Sequence, residues 1–372
     1  MMAISFAASA QTDSTAVAEA PKKNIIQKFM AYLDDSNEVK PAKKLDFSVI
    51  GGPYYSQDTK FGIGLVAAGI YRRDLNDTIN PASQFSLYGD ISVTGYYKVG
   101  VDGSSYFKGD KIWLYYDLFF SSQPDHYWGI GYSMNHRDDI MVKYKKWVAK
   151  ANVAALFRLG ETPVYLGPVA QLDYFDAKNR PNPELWHNQK RRTFSNVWGA
   201  GIVIDTRDNV YNAFEGIYAR IDQLFAPRFL GNQYCFSLTE GTFNFYQRLW
   251  KGAVMATNLH ARLTYGDTPW GMMSTLGGST SMRGYWDGRY NDKCAAEACV
   301  ELRQYIWNRF GAVVWGGVGE VFPKANQIFR GHALWNAGVG IRWEFKHRVN
   351  VRVDYGFGQN QNGLVFSINE AF

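Results

Sequence analysis

The chain has 372 residues and a formal net charge of +6, and it is rich in Tyr (24), Phe (24), Trp (12) and Gly (36). No stretch approaches the ~18 consecutive apolar residues of a membrane helix, which excludes a helical membrane protein. Length allows one large domain or two ordinary ones, and composition alone is also compatible with a soluble all-β protein.

Residues Ala3–Ala10 are small and apolar and end in Ala8-Ser9-Ala10 before Gln11. That is the form of a secretory cleavage site, although no basic residue precedes Lys22. We therefore expect residues 1–10 to be the remnant of a signal peptide. Residues 11–44 read as a polar tail. Within it, Ile25, Ile26, Phe29, Met30 and Leu33 give a helical period over 24–35, a short amphipathic helix. Such a helix would lie on the membrane surface, plug a lumen or dock a periplasmic partner. The segment Asn37–Lys44, with Pro41, reads as a linker.

From Leu45 to Phe372 the period is two, the signature of strands. Residues 333–345 are the clearest case: Trp335, Ala337, Val339, Ile341 and Trp343 share one face, and Asn336, Gly338, Gly340, Arg342 and Glu344 the other. Over eight residues of tilted strand, Trp335 and Trp343 would stand ~20 Å apart along a membrane normal, close to the spacing of two aromatic girdles. In the next strand Val351, Val353, Tyr355 and Phe357 oppose Asn350, Arg352, Asp354 and Gly356. A soluble sandwich also alternates, but its buried face would not carry such charge. The expected fold is all-β, a transmembrane antiparallel barrel of about sixteen strands. The segments include 83–100, 111–121 and 127–134 as single strands, 300–307 after a long loop, and 363–372 as the last. With both termini in the periplasm, short connections such as Trp250–Gly252 fall on that side and the long segments 177–193 and 266–299 fall outside. Phe372 then ends the last strand on its lipid-facing side, with Leu364, Phe366 and Ile368, as a terminal barrel signal.

The basic clusters Lys143–Lys146 and Lys190–Arg192 read as contacts to anionic lipid head groups or as solvated loop charge. No nucleic-acid-binding pattern accompanies them, and no nucleic-acid partner is expected. Cys294 and Cys299 lie in a polar segment with no His nearby, too few ligands for a structural metal. An oxidising compartment would favour a loop disulfide between them over free thiols. Cys235 sits in a strand pattern as a small apolar residue. No cofactor is called for.

Two motifs remain. One is Leu276-Gly277-Gly278-Ser279-Thr280-Ser281-Met282-Arg283-Gly284-Tyr285, followed by Val300-Glu301-Leu302-Arg303. The other is Asp205-Thr206-Arg207-Asp208-Asn209, then Gly216. In this order, with the terminal Phe, they resemble the BamA/TamA superfamily, the bacterial surface antigen barrel, over about residues 45–372. The resemblance implies that Arg283, Gly284 and Tyr285 sit at the tip of a loop folded back into the lumen. It also implies that Glu301 accepts from Arg283, and that a second carboxylate should stand where this chain has Gly317. The Asp205–Arg207 turn reads as local turn chemistry. Gly51-Gly52-Pro53 weakens the first strand, which closes against the last. That seam is either a lateral gate or a sealed closure.

The resemblance implies a non-enzymatic outer-membrane barrel that helps insert or move proteins or lipids. It would depend on outer-membrane lipids and on assembly machinery for its own insertion. Only about 45 residues precede the first strand, too few for a sizeable periplasmic domain of the POTRA type. The alternatives are a passive channel or structural barrel and, after that, an outer-membrane lipid enzyme.

Overall fold

The computed structural model describes residues 45–56, 58–71, 83–107, 109–346 and 348–372. The expected signal remnant and the helix at 24–35 lie outside them. Among the described residues there are eighteen strands, and sixteen of them form one antiparallel sheet in chain order. The first eight are β1 (Leu45–Ser56), β2 (Lys60–Tyr71), β3 (Ser83–Ser92), β4 (Tyr97–Phe107), β5 (Ile112–Tyr127), β6 (Val142–Arg158), β7 (Val164–Lys178) and β8 (Arg192–Asp205). Then come β9 (Gly216–Ala226), β10 (Phe236–Trp250) and β11 (Ala253–Gly266). Two short strands, β12 (Ser274–Leu276) and β13 (Tyr290–Asp292), pair only with each other. The sheet resumes with β14 (Cys294–Trp307), β15 (Phe310–Phe322), β16 (Leu334–Lys346), β17 (Val349–Gly358) and β18 (Gln361–Ile368).

The sheet curls into a nearly closed barrel. The backbones of β1 and β18 come within 8 Å of each other, yet no ladder joins them among the described residues. Because strands alternate in direction, the start of β1 and the end of β18 share one rim, the near rim. The turns Lys251–Gly252 and Asn308–Arg309 lie there too, with the connection 206–215. The far rim carries the connections 128–141, 179–191 and 267–293.

Burial is inverted relative to a soluble protein. On β16, Val339 and Ile341 are 56% and 61% exposed, while Asn336 and Arg342 are 2% and 4% exposed. On β17, Arg352 and Asp354 are buried, and Tyr355 and Phe357 face out. An outer surface of Leu, Ile, Val, Phe and Trp beside an inner wall of charge is stable only with lipid outside. Among the described residues no helix is long and apolar enough to cross a membrane. Side chains pack inside the lumen under the far rim. There the fully buried Trp186 stacks on Tyr127 at 4.3 Å, beside Tyr144 and Trp270.

The sixteen-strand expectation holds for the sheet, but two boundaries beneath it offset each other. Segment 83–100 is two strands: the chain turns at 93–96, where Gly95 takes φ +83°. Segment 127–134 is no strand, because β5 runs on to Tyr127 and Gly129 and Gly131 then take φ +85° and +89°. That break leads into one helical turn, α1 (Tyr132–Asn135), whose Asn135 is buried.

Two further expectations are corrected. Cys294 and Cys299 are both in β14 and both free. Five residues of extended strand separate them by roughly 16 Å, beyond the ~7 Å limit between bridged Cα atoms, so no disulfide can join them. Phe372 does not face lipid. β18 stops at Ile368, Asn369 adopts φ +67°, and the last residues turn into the barrel. There Phe372 packs on Ala213, Tyr246 and Ala256 and on Cys299, Val313 and Trp315, all lining the lumen.

The inside–outside assignment yields a direct test. Val339→Arg, at mid-strand on the outer face, should destabilise the folded state by about 2–4 kcal/mol, as for other midplane lipid-facing charges. Val210→Arg, an equally exposed position in the near-rim connection, should change stability by less than about 0.5 kcal/mol. Urea titrations of folding into lipid vesicles check both.

Candidate functional site: an arginine held inside the lumen

Loop 267–293 leaves β11 through Gly266, in the left-handed region at φ +88°. A 3-10 turn at Trp270–Met272 and the β12–β13 pair aim the segment 277–289 inward. Its apolar side is secured by Leu276, Met282, Tyr285 and Tyr290 against Ala295, Val321 and Leu334. Arg283 is thereby carried to a position with no exposed surface.

Arg283 Nη2 donates to Glu301 on β14, and Nη1 donates to Asp354 on β17 at 2.8 Å. The guanidinium also lies over the Trp315 ring, 3.8 Å from its centre. Burial works against the charge, but Glu301 and Asp354 outweigh it and hold the guanidinium above its usual range. The two carboxylates are themselves bridged to the barrel wall. Arg303 Nε donates to Glu301 at 2.9 Å, Arg352 Nη1 to Asp354 at 2.8 Å, and Arg342 reaches both Asp354 and Glu370. Four guanidiniums and three carboxylates thus form one buried network. Its side chains are 0–8% exposed.

The backbone of the tip is fixed as tightly. Gly284 has φ +104°, and a Cβ there would meet the Gly356 carbonyl carbon at 2.8 Å. Tyr285 Oη donates to the Trp335 carbonyl at 2.7 Å and accepts from Gln359 N at 2.8 Å. Asn336 Nδ2 donates to the carbonyls of Ser281 and Arg283, each at 2.9 Å. Asn336 accounts for Gly317. A Cβ at Gly317 would stand 2.4 Å from Asn336 Oδ1 and 3.0 Å from the Ala298 carbonyl, so Asn336 fills the space an Asp would need. The second carboxylate is Asp354, one strand further on than Asn336.

Past the arginine, the loop reaches both sides of the β1–β18 seam. Trp286 N donates to Gln361 Oε1 at 3.2 Å, at the start of β18. Asp287 N donates to Asp58 Oδ1 at 3.3 Å, in the β1–β2 turn. The Trp286 ring meets His126 edge-on at 4.5 Å and has Lys60 Nζ 5.4 Å from its centre. Burial, and then the Asp287 carboxylate, push Asp58 up to about 8, and burial likewise raises Asp287. Asp125 adds to the repulsion at both, while Lys60 at Asp58 and Lys146 at Asp287 oppose it.

The second sequence motif forms a strap at the near rim. Arg207 and Asp205 form a two-pronged pair at 3.0 and 2.7 Å. Asp208 Oδ1 accepts from Phe214 N, and its Oδ2 accepts from Arg348 Nη2 at 3.0 Å on the β16–β17 turn. Tyr211 bonds Gln84 on β3. Connection 206–215 therefore joins β3 to the β16–β17 turn, with Ala213 packed under Phe372. Of the basic clusters, Arg191 and Arg192 both pair with Asp176, at 3.0 and 3.2 Å, and Lys146 with Asp125 at 3.4 Å.

Asp354, Arg342 and Arg352 carried a signal in the sequence: their parity placed them on an inner face. What brings them to Arg283 is register, with Arg342 opposite Arg352 and Gly340 opposite Asp354. Glu370 gave no such signal, because it reaches the network only through the turn at Asn369. Among the described residues no cluster of His, Cys, Asp and Glu could hold a metal ion.

Arg283→Ala would leave Glu301 and Asp354 short of a buried counter-charge, and we expect a loss of about 3–5 kcal/mol. Arg283→Lys should restore little of it, since an ammonium cannot fork to two carboxylates and lie flat on an indole. Urea midpoints and protease cleavage within 277–289 report both. Docking of the loop on the β1–β2 turn should depend on pH. Asp58 is held above its unfolded value, ~3.9, so docking is strongest below about pH 4 and weakens as pH rises towards about 8. Asp58→Asn keeps the acceptor for Asp287 N and should flatten that dependence, read as hydrogen exchange of residues 283–289 against pH.

An Omp85 superfamily domain matches residues 104–372. Among solved structures the fold is similar to BamA from Haemophilus ducreyi lacking POTRA domains 1–3, at TM-score 0.57 and 15% identity, over 87% of this chain and 70% of that one. CdiB from Escherichia coli gives 0.59 and 13%, over 89% and 64%, and CdiB from Acinetobacter baumannii gives 0.57 and 14%, over 89% and 60%. The chain thus spans less than two thirds of either CdiB. No curated protein's sequence matches this one. The matched domain includes the whole inner loop and every carboxylate that holds Arg283, and the chain is an outer-membrane β-barrel belonging to the Omp85 superfamily.

Proposed function

We propose that this barrel assists insertion or translocation of proteins or lipids at the outer membrane, and that the β1–β18 seam is the working part. The observation that carries the reading is the inner loop's grip on both sides of an unlaced seam. Trp286 and Asp287 hold β18 and the β1–β2 turn, while Arg283 fixes the same loop to β14 and β17. β1 has twelve residues and β18 has eight, so part of the β1 edge has no partner strand of equal length. An edge of that kind recruits an incoming strand through main-chain hydrogen bonds. In this reading the near rim, which carries the start of β1 and the end of β18, faces the periplasm.

Loop 267–293 packs inside the lumen from the far rim and Phe372 packs inside it near the other rim, which disfavours a wide passive channel. The expected conductance is small and intermittent. Nor does the arrangement favour an enzyme, since Glu301, Asp354 and Glu370 are each held by arginines in the resting network. The client is taken to be an outer-membrane polypeptide or lipid.

Cysteine pairs placed across β1 and β18, in a chain whose own three cysteines are replaced by Ser, test the reading. Oxidation should reproduce the outer-membrane protein or lipid defect of a deletion strain, and reduction should relieve it. Full activity with the seam covalently closed would remove the seam from the mechanism.

A further inference from the structure

The outer wall carries its own arrangement of charge, at the far-rim ends of β6 and β7. Residues directly opposite one another in a sheet share a face. Register places Tyr97, Ser122, Trp147, Asp176 and Arg192 in one row across β4–β8. Trp147 has the parity of Val153 and Phe157, both exposed on β6, so the row faces outward. The next row towards the far rim holds Pro124, Lys145 and Lys178, and Lys143 lies one step beyond Lys145 on the same face. Asp176 is the one carboxylate in these rows; it is 1% exposed and is taken by Arg191 and Arg192. Lys143, Lys145 and Lys178 have no carboxylate partner among the described residues. Lys143 is exposed and the other two are partly exposed, so all three are open to approach from outside. Lysines directly opposite each other repel, and an anion between them removes that cost.

The height of the lysines follows from β6 itself. Trp147 and Phe157 both face outward, and ten residues of tilted strand separate them by ~25 Å along the barrel axis, the height of a barrel's apolar band. Trp147 thus marks the far edge of that band, and Lys143 and Lys145 stand just beyond it, at the level of the lipid head groups. A lysine at this level ordinarily extends away from the bilayer into water. Lys178 does not: its Nζ lies over the Trp147 ring, 3.1 Å from the centre, turned back towards the band. Phe120 meets the same ring edge-on at 5.9 Å, and Tyr97 lies 6.0 Å from Phe120. An ammonium is therefore held at the boundary between head groups and acyl chains, above a run of lipid-facing aromatic rings.

We infer that this patch binds a membrane lipid whose head group ends in a phosphomonoester. Such a group carries about −1.5 to −2 charges at neutral pH and three terminal oxygens, enough to meet Lys145 and Lys178 together with Lys143 on the rim side. A phosphodiester brings a single charge to the same three ammonium groups. The upper acyl segment lies along Trp147 and Phe120, which is why the occupant is a lipid and not free phosphate. The patch is separated from the seam by the whole of β1–β5, and its failure would leave the seam reading untouched.

The test is titration of short-chain phosphatidic acid against the full chain in a neutral detergent, read by native mass spectrometry. Short-chain phosphatidylglycerol, phosphatidylcholine and inorganic phosphate serve as the other probes. Wild type should bind one phosphatidic acid saturably, phosphatidylglycerol several-fold more weakly, and the remaining two most weakly. Lys145→Gln combined with Lys178→Gln should weaken phosphatidic acid by about tenfold or more, most strongly at low salt. Trp147→Leu keeps both charges and should weaken it several-fold. These positions lie on the outer wall, away from the buried arginine network, and loss of two opposed like charges should not unfold the barrel. Unheated gel mobility reads the integrity of each variant. Lys251→Gln removes an exposed lysine at the near rim and should leave binding unchanged. Unchanged binding in the double variant, an equal loss in Lys251→Gln, or inorganic phosphate binding as tightly as the lipid would overturn the inference.

Discussion

A guanidinium with no exposed surface is stable only where its counter-charges are already in place, and Arg283 sets that condition for the barrel. Its two carboxylates come from strands β14 and β17, and they are themselves held by Arg303, Arg342 and Arg352. Strand register, the inward fold of loop 267–293 and the turn that delivers Glu370 must all be complete before the network balances. A barrel with slipped register would leave several buried charges unmatched at once, each costing several kcal/mol. The network therefore selects one closed arrangement among many that would satisfy the outer apolar surface equally well.

The lipid-facing surface is less selective. Leu, Ile, Val and Phe on the outside need only be apolar, and a slip of two residues would keep them so. Specificity thus sits in the lumen and general membrane compatibility sits outside. That division explains why the inner faces hold so many Arg, Asp, Glu and Asn residues, where a barrel with no internal loop would need only water-compatible side chains.

How much of this was legible in the sequence follows from the same division. The two-residue period names the outer and inner faces because it reports only on local parity. It places Arg342, Arg352 and Asp354 inside, as the structure does. Parity says nothing about register, so it could not show that Asp354 meets Arg283, nor that Asn336 takes the room left at Gly317. The boundaries misread most were those governed by a few backbone angles. The turns at Gly95 and at Gly129 and Gly131 split and ended strands that looked continuous or separate. Asn369 redirected a tail whose alternation pointed outward. The two cysteines looked like loop residues because Cys294–Cys299 follows directly on the long inner loop, yet the segment opens strand β14.

The strap formed by residues 206–215 has a mechanical meaning. It is tied on one side to Gln84 on β3 through Tyr211, and on the other to the β16–β17 turn through Asp208 and Asn212. These two anchors lie on opposite flanks of the seam. Any hinge motion that swings the early strands away from the late ones must stretch this tether or detach it. The chain across the lumen thereby sets an upper limit on how wide the wall can part while the base of the cylinder keeps its circumference.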